Sequence, residues 1–260
     1  MKFVLQHNLM SAEQLAICKD ALTNIPHLFV GVIPFSHEIT SDEPLIGQDF
    51  IPYGSTLFTN IAYDLKWKGL HFDLNTFNYG AAIQNRDDML NEDLILKLSA
   101  AITFLRTRPE NDEWFIRPSE DLKQFSGQVI QAKECADWLT DAMNCDSSGS
   151  YHLSADTMVV LAEPRNIQAE WRWFIVDGKI VDGAMYRFNN QLVKKHELEA
   201  DVIAEAQQLA DGWLPDSCCV MDTALVDDKL YVVEFNTINS SGMYNHDTRK
   251  IFTALYNFHL

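Results

Sequence analysis

Two carboxylates and one amide on a predicted hairpin have a spacing that suits a metal ion. Glu234 and Asn236 lie two residues apart in an otherwise apolar run that begins at Tyr231, and Asp222 lies in the preceding apolar run. Because alternate side chains of a strand point to the same face, Glu234 and Asn236 are expected to share a face. Hard cations such as Mg²⁺ prefer carboxylate and amide oxygens. The sequence therefore predicts a magnesium site at Asp222, Glu234 and Asn236.

The place of Asp222 in this site depends on the length of the hairpin turn. A three-residue turn, residues 227–229, would place Asp222 opposite Glu234 with their Cβ atoms ~5 Å apart, and two carboxylates that close repel each other unless a cation lies between them. A two-residue turn, Asp227-Asp228, would instead place the two acids on opposite faces. We predict the three-residue turn. The alternative is that this polar face is the solvated side of an antiparallel sheet.

A second predicted hairpin collects charges of both signs. Its turn is Asp177-Gly178, a strong signal for a two-residue hairpin loop. With that turn and a regular register, Arg172 pairs with Gly183, where the missing side chain would leave room for a ligand. The same face is expected to carry one acid and two arginines, namely Glu170, Arg172 and Arg187. The other face, which contains two tryptophans, is predicted to be the core.

Alternating strands and helices precede these hairpins. Residues 1–85 predict an α/β module whose first helix is capped by Ser11. Hairpins dominate from Thr157 onwards, and Asp247 is predicted to cap a final helix. The expected domains are an N-terminal α/β domain at 1–85 and two α+β subdomains at 86–156 and 157–260.

Composition excludes several classes of protein. The 260 residues are 47% hydrophobic, which is enough for a sizeable core. The longest apolar runs are shorter than the ~18 residues of a membrane-spanning helix, so we expect no membrane partner and a cytoplasmic location. A net charge of −17 disfavours nucleic acid as a partner. The five cysteines form no CxxC pair, which favours free thiols in a reducing compartment.

The order of these motifs resembles the ATP-grasp superfamily of carboxylate–amine ligases, which includes D-alanine–D-alanine ligase and glutathione synthetase. The resemblance rests on a strand with a cation before a flexible turn (FIRPSEDLKQFSGQV), a strand leading into a hinge (VVLAEPRNIQAEWRWFIVDG) and the hairpin with Asp, Glu and Asn. It covers roughly residue 90 to the C-terminus and is closest to a branch frequent in bacteriophages and bacteria. It implies an ATP-grasp fold, in which two α+β subdomains clasp ATP, preceded here by the small α/β domain.

The resemblance also implies which residues bind the nucleotide. Arg117 stands where family members have a strand lysine on the phosphates, and Glu170 stands where they have the acid that binds the ribose. The implied nucleotide-binding set is Arg117, Lys123, Gly127, Leu161, Ala162, Glu163, Glu170 and Asn236. Arg172, Arg187 and Lys123 are implied to be catalytic, because they would face the phosphates or an acyl phosphate. The alternatives are a surface position for Arg117 and a salt bridge between Arg187 and Glu170.

The implied reaction has two steps: ATP phosphorylates a carboxylate, and an amine then attacks the acyl phosphate. The cofactors are ATP and Mg²⁺, and the small-residue loop Ser240, Ser241 and Gly242 is implied to contact the substrate, which is a small molecule or a peptide. The chain is expected to be a monomer or a homodimer. Two alternatives remain open: an ATP-dependent phosphotransferase on the same fold, and a catalytically silent nucleotide-binding interaction protein.

Overall fold

The computed structural model of the chain describes residues 1–34, 36–119, 124–144 and 153–260. The described residues form two compact units. The first unit contains Met1–Asp73, Ala169–Thr223 and Phe235–Leu260, and the second contains Leu74–Gln168 and Ala224–Glu234. The domain boundaries expected from the sequence, after residues 85 and 156, remain a prediction.

The N-terminal segment forms an α/β layer. Its elements are β1 (Lys2–Gln6), α1 (Ala12–Ala21), β2 (His27–Val32), β3 (Ile39–Thr40), β4 (Phe50–Tyr53) and α2 (Thr56–Asp64). The sheet order is β3-β2-β1-β4, and β1 is parallel to both β2 and β4. Ser11 caps α1 in a capping box with Gln14, as the sequence predicts. Ser55 caps α2 by accepting a hydrogen bond from the Phe58 backbone amide.

The next elements form an antiparallel sheet with three helices. They are α3 (Tyr79–Asn85), β5 (Leu94–Lys97), α4 (Leu98–Leu105), β6 (Glu113–Pro118), β7 (Gln128–Gln131), α5 (Ala132–Asn144) and β8 (Met158–Ala162). The sheet order is β5-β8-β6-β7. The buried residues of α5 are Ala132, Cys135, Ala136 and Leu139. They recur at the helical spacing i, i+3, i+4 and i+7, so one face of α5 packs into the core of the second unit.

The remaining elements build a five-stranded sheet. They are β9 (Ala169–Val176), β10 (Lys179–Phe188), β11 (Gln191–Lys195), α6 (Ala200–Ala210), β12 (Cys219–Val226), β13 (Lys229–Thr237) and α7 (Thr248–Phe258). The order is β11-β10-β9-β12-β13, so β9 is central and β11 lies at one edge. Asp247 caps α7 by accepting a hydrogen bond from the Lys250 backbone amide, as predicted.

Both faces of β9 are buried, which corrects the prediction of a single core face. All eight residues of the strand are buried. Trp173 is fully buried, and Phe174 and Val176 belong to the main core cluster of the first unit together with Phe3 and Phe252. A central strand covered on both sides has this pattern. The charged residues of β9 therefore lie in a buried setting.

The β9–β10 hairpin has the predicted turn but not the predicted register. Asp177 and Gly178 have φ values of 53° and 70°, and Val176 pairs with Lys179. Two register shifts follow along β10, so Arg172 pairs with Ala184 instead of Gly183. Gly183 pairs with Trp173, whose ring a Cβ at this position would strike. The room at this glycine is filled by the indole, and the prediction of a ligand space opposite Arg172 is wrong.

The β12–β13 hairpin has a two-residue turn, so the predicted three-residue turn is wrong. β12 ends at Val226 and β13 begins at Lys229, and the residues between them, Asp227 and Asp228, have φ values of 49° and 61°. Aspartate tolerates the left-handed region better than most residues, and a turn of this type matches the twist of the strands. The length of this turn therefore does not by itself bring the acids to one face.

The described helices lack the length and apolar character needed to cross a membrane.

Candidate functional site

Asp222 forms a buried ion pair with Arg172 in the first unit. The guanidinium donates from Nε to Asp222 Oδ1 at 2.8 Å and from Nη2 to Oδ2 at 2.7 Å. This forked geometry joins the neighbouring strands β9 and β12. Both residues are buried, and the Tyr244 ring lies 4.8 Å from the guanidinium carbon. The predicted metal ligand and a predicted catalytic arginine thus neutralise each other.

Asn236 also contacts Asp222. Its amide Nδ2 lies 3.5 Å from Asp222 Oδ2. In a regular ladder from the Asp227-Asp228 turn, Asp222 would pair with Val233 and would face away from Asn236. A regular ladder from this turn therefore does not account for the contact. The structure nevertheless brings these two predicted ligands together.

Glu170 and Arg187 form a second acid–arginine pair in this unit. They are direct cross-strand partners on β9 and β10, and Arg187 Nη1 lies 3.0 Å from Glu170 Oε2. The Glu170 side chain is 7% exposed and that of Arg187 is 43% exposed. The salt bridge that the sequence left as an alternative is therefore present.

Arg117 and Glu234 form the third pair, within the second unit. Arg117 Nη2 lies 2.8 Å from Glu234 Oε2, and the Tyr79 ring lies 4.8 Å from the guanidinium carbon. The Tyr79 hydroxyl accepts a hydrogen bond from the Asn91 backbone amide, and the Tyr79 amide donates to the Ser119 carbonyl. Burial raises the pKa of Tyr79 to about 12, so the phenol under the guanidinium is neutral. Arg117 is thus held in place on two sides, unlike an ordinary surface arginine.

The hinge residues are fixed by a residue that the sequence analysis missed. Leu161 and Ala162 end β8 with buried side chains, and Glu163 follows them. Asp93 accepts from the Glu163 backbone amide at 2.8 Å and pairs with Arg165 at 3.0 Å. The only signal in the sequence was an acid just before a short apolar strand, which is too common to single out.

The turn after β6 is described only in part. Gly127 packs closely against the second unit's sheet, because a Cβ there would lie 2.9 Å from Phe115 Cζ. This close packing explains a glycine at the position. Lys123, predicted to act on the phosphates, lies outside the described residues.

The small-residue loop is attached at its base to the N-terminal segment of the same unit. Ser241 is buried, its hydroxyl donates to the Thr237 carbonyl at 2.7 Å, and its carbonyl accepts from the Tyr53 hydroxyl at 2.8 Å. Asn239, which the sequence analysis also missed, is fully buried and donates to the carbonyls of Pro52 and Gly69. The loop at Ser240, Ser241 and Gly242 therefore has a rigid base.

Several solved structures share this fold over nearly the whole chain. D-cycloserine synthetase DcsG has 13% identity and a TM-score of 0.60, with 100% of both chains covered. ATP-grasp ligase PsnB complexed with a phosphomimetic variant of minimal precursor, Mg and ADP has 14% identity and a TM-score of 0.57, covering 99% and 97%. Macrocyclase MdnC bound with precursor peptide MdnA from Microcystis aeruginosa MRC has 12% identity and a TM-score of 0.58, covering 99% of both. These likenesses establish the fold.

The family is established by sequence. No curated protein matches the chain. A family model described as ATP-grasp domain, R2K clade family 2, matches residues 95–254, which is more than half of the 260 residues. The predicted superfamily and the predicted mixed α and β fold are both confirmed. The chain belongs to the R2K clade, family 2, of the ATP-grasp domains.

Proposed function

We propose that this ATP-grasp protein is an ATP-dependent ligase that activates a carboxylate as an acyl phosphate and joins it to an amine. The observation that carries the proposal is a set of three acid–arginine pairs, Arg172–Asp222, Arg187–Glu170 and Arg117–Glu234. Each pair joins an acid assigned to the metal or ribose with an arginine assigned to phosphate. The ligase class agrees with the family and with neighbours named as ligases or synthetases.

Magnesium fits the donors at the hairpin. Asp222, Glu234 and Asn236 offer two carboxylates and one amide, which are hard oxygen ligands. When bound, Mg²⁺ neutralises charge on the transferred phosphoryl group. The structurally similar ligase PsnB has been solved with Mg and ADP. This supports the assignment of magnesium to these three residues.

The arginines then serve the phosphates. When a cation binds the carboxylate, it neutralises the charge that the guanidinium neutralised before. Arg172 and Arg117 can then bind a phosphate or an acyl phosphate. We assign Arg172, Arg187 and Lys123 to this catalytic role. Arg117, Lys123 and Gly127 are assigned to the nucleotide phosphates, Glu170 to the ribose, and Leu161, Ala162 and Glu163 to the adenine.

The substrate end is assigned to the loop at Ser240, Ser241 and Gly242, whose rigid base lets backbone amides be aimed at a carboxylate. The substrate is a small molecule or a peptide, and the precursor peptide bound by neighbouring MdnC favours a peptide. We further propose a cytoplasmic monomer or homodimer from the branch frequent in bacteriophages and bacteria, without nucleic-acid or membrane partners.

The deciding experiment measures ADP release with Mg-ATP against a panel of amino acids and peptides, followed by mass spectrometry of the products. A ligase gives ADP together with an amide product. A stable phosphorylated product would identify a phosphotransferase instead. Nucleotide binding without ADP release across the panel would favour the silent interaction protein and overturn the proposal.

A further inference from the structure

Three side chains of the first unit bring three kinds of metal-binding atom together. His71 follows α2, and Asp216 and Cys218 immediately precede β12. One ring nitrogen, one carboxylate oxygen and one sulfur of these residues all lie within 4.8 Å of one another. His71 Nδ1 lies 2.8 Å from Asp216 Oδ1. A nitrogen, an oxygen and a sulfur donor therefore face one small volume.

The backbone holds these donors before any ligand arrives. The His71 amide donates to Asn239 Oδ1 at 2.8 Å, and the Cys218 amide donates to Asp216 Oδ1 at 2.8 Å. Cys218 is fully buried and the His71 side chain is 7% exposed, whereas the Asp216 side chain is 31% exposed. The cluster thus has a buried wall and one side open to solvent.

A fourth residue contacts the other ring nitrogen of the histidine. His71 Nε2 lies 2.9 Å from His259 Nε2, so one of these nitrogens must donate and the other must accept. When His71 donates, its Nε2 keeps a hydrogen and its Nδ1 is the atom that can bind a metal. Metal-binding histidines almost always donate their second nitrogen to a fixed acceptor. His259 occupies the place of that acceptor.

We propose that His71 Nδ1, Cys218 Sγ and Asp216 Oδ1 bind one zinc ion, with water from the open side as the fourth ligand. Zinc accepts imidazole, thiolate and carboxylate in a tetrahedral site, and the sulfur donor disfavours Mg²⁺. With typical zinc–ligand lengths, the nitrogen and oxygen would separate from their present 2.8 Å to roughly 3.3 Å. The thiol proton and the proton shared by His71 and Asp216 leave to solvent.

This zinc site is separate from the residues assigned to magnesium. Asp222 lies four positions further along the chain than Cys218, and its carboxylate contacts Arg172. Zinc at His71 would join the segment after α2 to the start of β12. Through the hydrogen bond from His71 to Asn239, it would also brace the base of the small-residue loop.

The test measures bound metal in the untagged full chain. Wild type, Cys218→Ala and Cys219→Ala are stripped with a chelator, equilibrated with zinc chloride, desalted and analysed by inductively coupled plasma mass spectrometry. Cys219 is the matched control, because it is also a fully buried cysteine next in sequence but is not one of the three converging donors. We expect about one zinc per chain in wild type and Cys219→Ala, and at least a tenfold loss in Cys218→Ala.

Equal zinc in all three proteins, or none in wild type, would overturn the proposal and leave a hydrogen-bonded cluster only. A second measurement covers the case in which Cys218→Ala does not fold. Wild type titrated with cobalt(II) should develop the near-ultraviolet charge-transfer absorption of a cobalt thiolate. A cobalt spectrum without that band would exclude Cys218 as a ligand.

Discussion

At the scale of single residues, the acids and arginines that the proposal assigns to the site form ion pairs within their own units. The sequence shows which residues are acidic or basic, and the resemblance assigns them roles, so the membership of the set could be predicted. The pairing could not, because whether Arg172 contacts Asp222 or a phosphate depends on the neighbouring strand. Asn239 and Asp93 escaped prediction for a similar reason, since an amide or an acid in a loop carries no mark of its partners.

The buried pair predicts a stability effect of Asp222→Asn. Arg172 and Asp222 have side chains only 11% and 4% exposed, so removing the carboxylate leaves a buried guanidinium without its counter-charge. We expect a loss of about 3 kcal/mol in the free energy of unfolding, measured by urea denaturation, together with loss of Mg-ATP turnover. Glu234→Gln is the control, because its pair is more exposed: turnover should be lost with a smaller effect on stability. Equal destabilisation by both substitutions would contradict the burial argument.

Tyr79 is expected to matter for nucleotide binding through its ring. Replacing it with leucine removes the aromatic face under Arg117, which is worth about 1 kcal/mol and should raise KM for Mg-ATP about fivefold. Tyr79→Phe keeps the ring and loses only the hydrogen bond from Asn91, so its KM should stay near that of wild type. Steady-state kinetics of the two variants measure KM for Mg-ATP. An equal rise of KM in both variants would show that the hydroxyl, and not the ring, supports nucleotide binding.

At the scale of elements, the helix caps were predicted from the sequence more accurately than the hairpins. The caps Ser11 and Asp247 are local signals, and the structure contains both of them. The register of β10 was not predictable, because its shifts depend on how Gly183 packs against Trp173. The β12–β13 turn differs from the prediction because two consecutive aspartates adopt the left-handed conformation of a two-residue turn, a preference that the spacing of the carboxylates does not reveal.

The two hairpin turns allow a matched test of backbone conformation. Asp228 has a φ of 61°, a region that glycine adopts without a steric penalty, so Asp228→Gly should raise the free energy of unfolding by about 0.5 kcal/mol. Gly178 in the other turn has a φ of 70° with nothing near its Cβ position, so Gly178→Ala should lower stability by about 1 kcal/mol through the backbone alone. Thermal denaturation of both variants measures this, and effects of the same sign would refute it.

The start of α7 is tied to β10 by a buried acid whose effect depends on pH. Burial by itself would raise the pKa of Asp182, but hydrogen bonds from His246, the Asp247 amide and His196 lower it below its ordinary value. As the pH falls towards and below about 4, the unfolded chain therefore binds a proton at Asp182 more readily than the native chain does. The stability that Asp182 contributes is present above that pH and is lost as the pH falls through the lowered pKa of the folded state. Asp182→Asn should be less stable than wild type at pH 7, and the difference should shrink below pH ~4 in urea denaturation at several pH values. A constant difference would show that Asp182 does not titrate in this way.

At the scale of the whole molecule, the order of the motifs and the resemblance that rests on it predicted the family better than they predicted how the chain is arranged. The hydrophobic content supplies a separate core cluster in each unit, and the family model agrees with the motif order seen in the sequence. What composition could not show is that one polypeptide builds each unit from distant segments. That grouping depends on which strands pair across the chain.

Buried cysteines are expected to resist alkylation in the folded state. Burial raises the pKa of Cys18 to about 11 and that of Cys135 to about 12, so both are thiols at neutral pH, and the thiolate is the reactive form. Iodoacetamide at pH 7.5 followed by peptide mass spectrometry should leave both unmodified in native protein and modify both in urea. Rapid labelling of either residue in the native state would show that its surroundings open readily.

The edge strand β11 has a consequence for how copies of the protein behave together. An unpaired strand edge is a template on which another chain can add, and Leu192 at 82% exposure would make such an addition favourable. Lys194 and Lys195 lie on the same strand, so pairing of two β11 edges would place like charges on adjacent strands. In a concentrated solution, these two lysines therefore oppose fibre-like association, whatever the rest of the molecule catalyses.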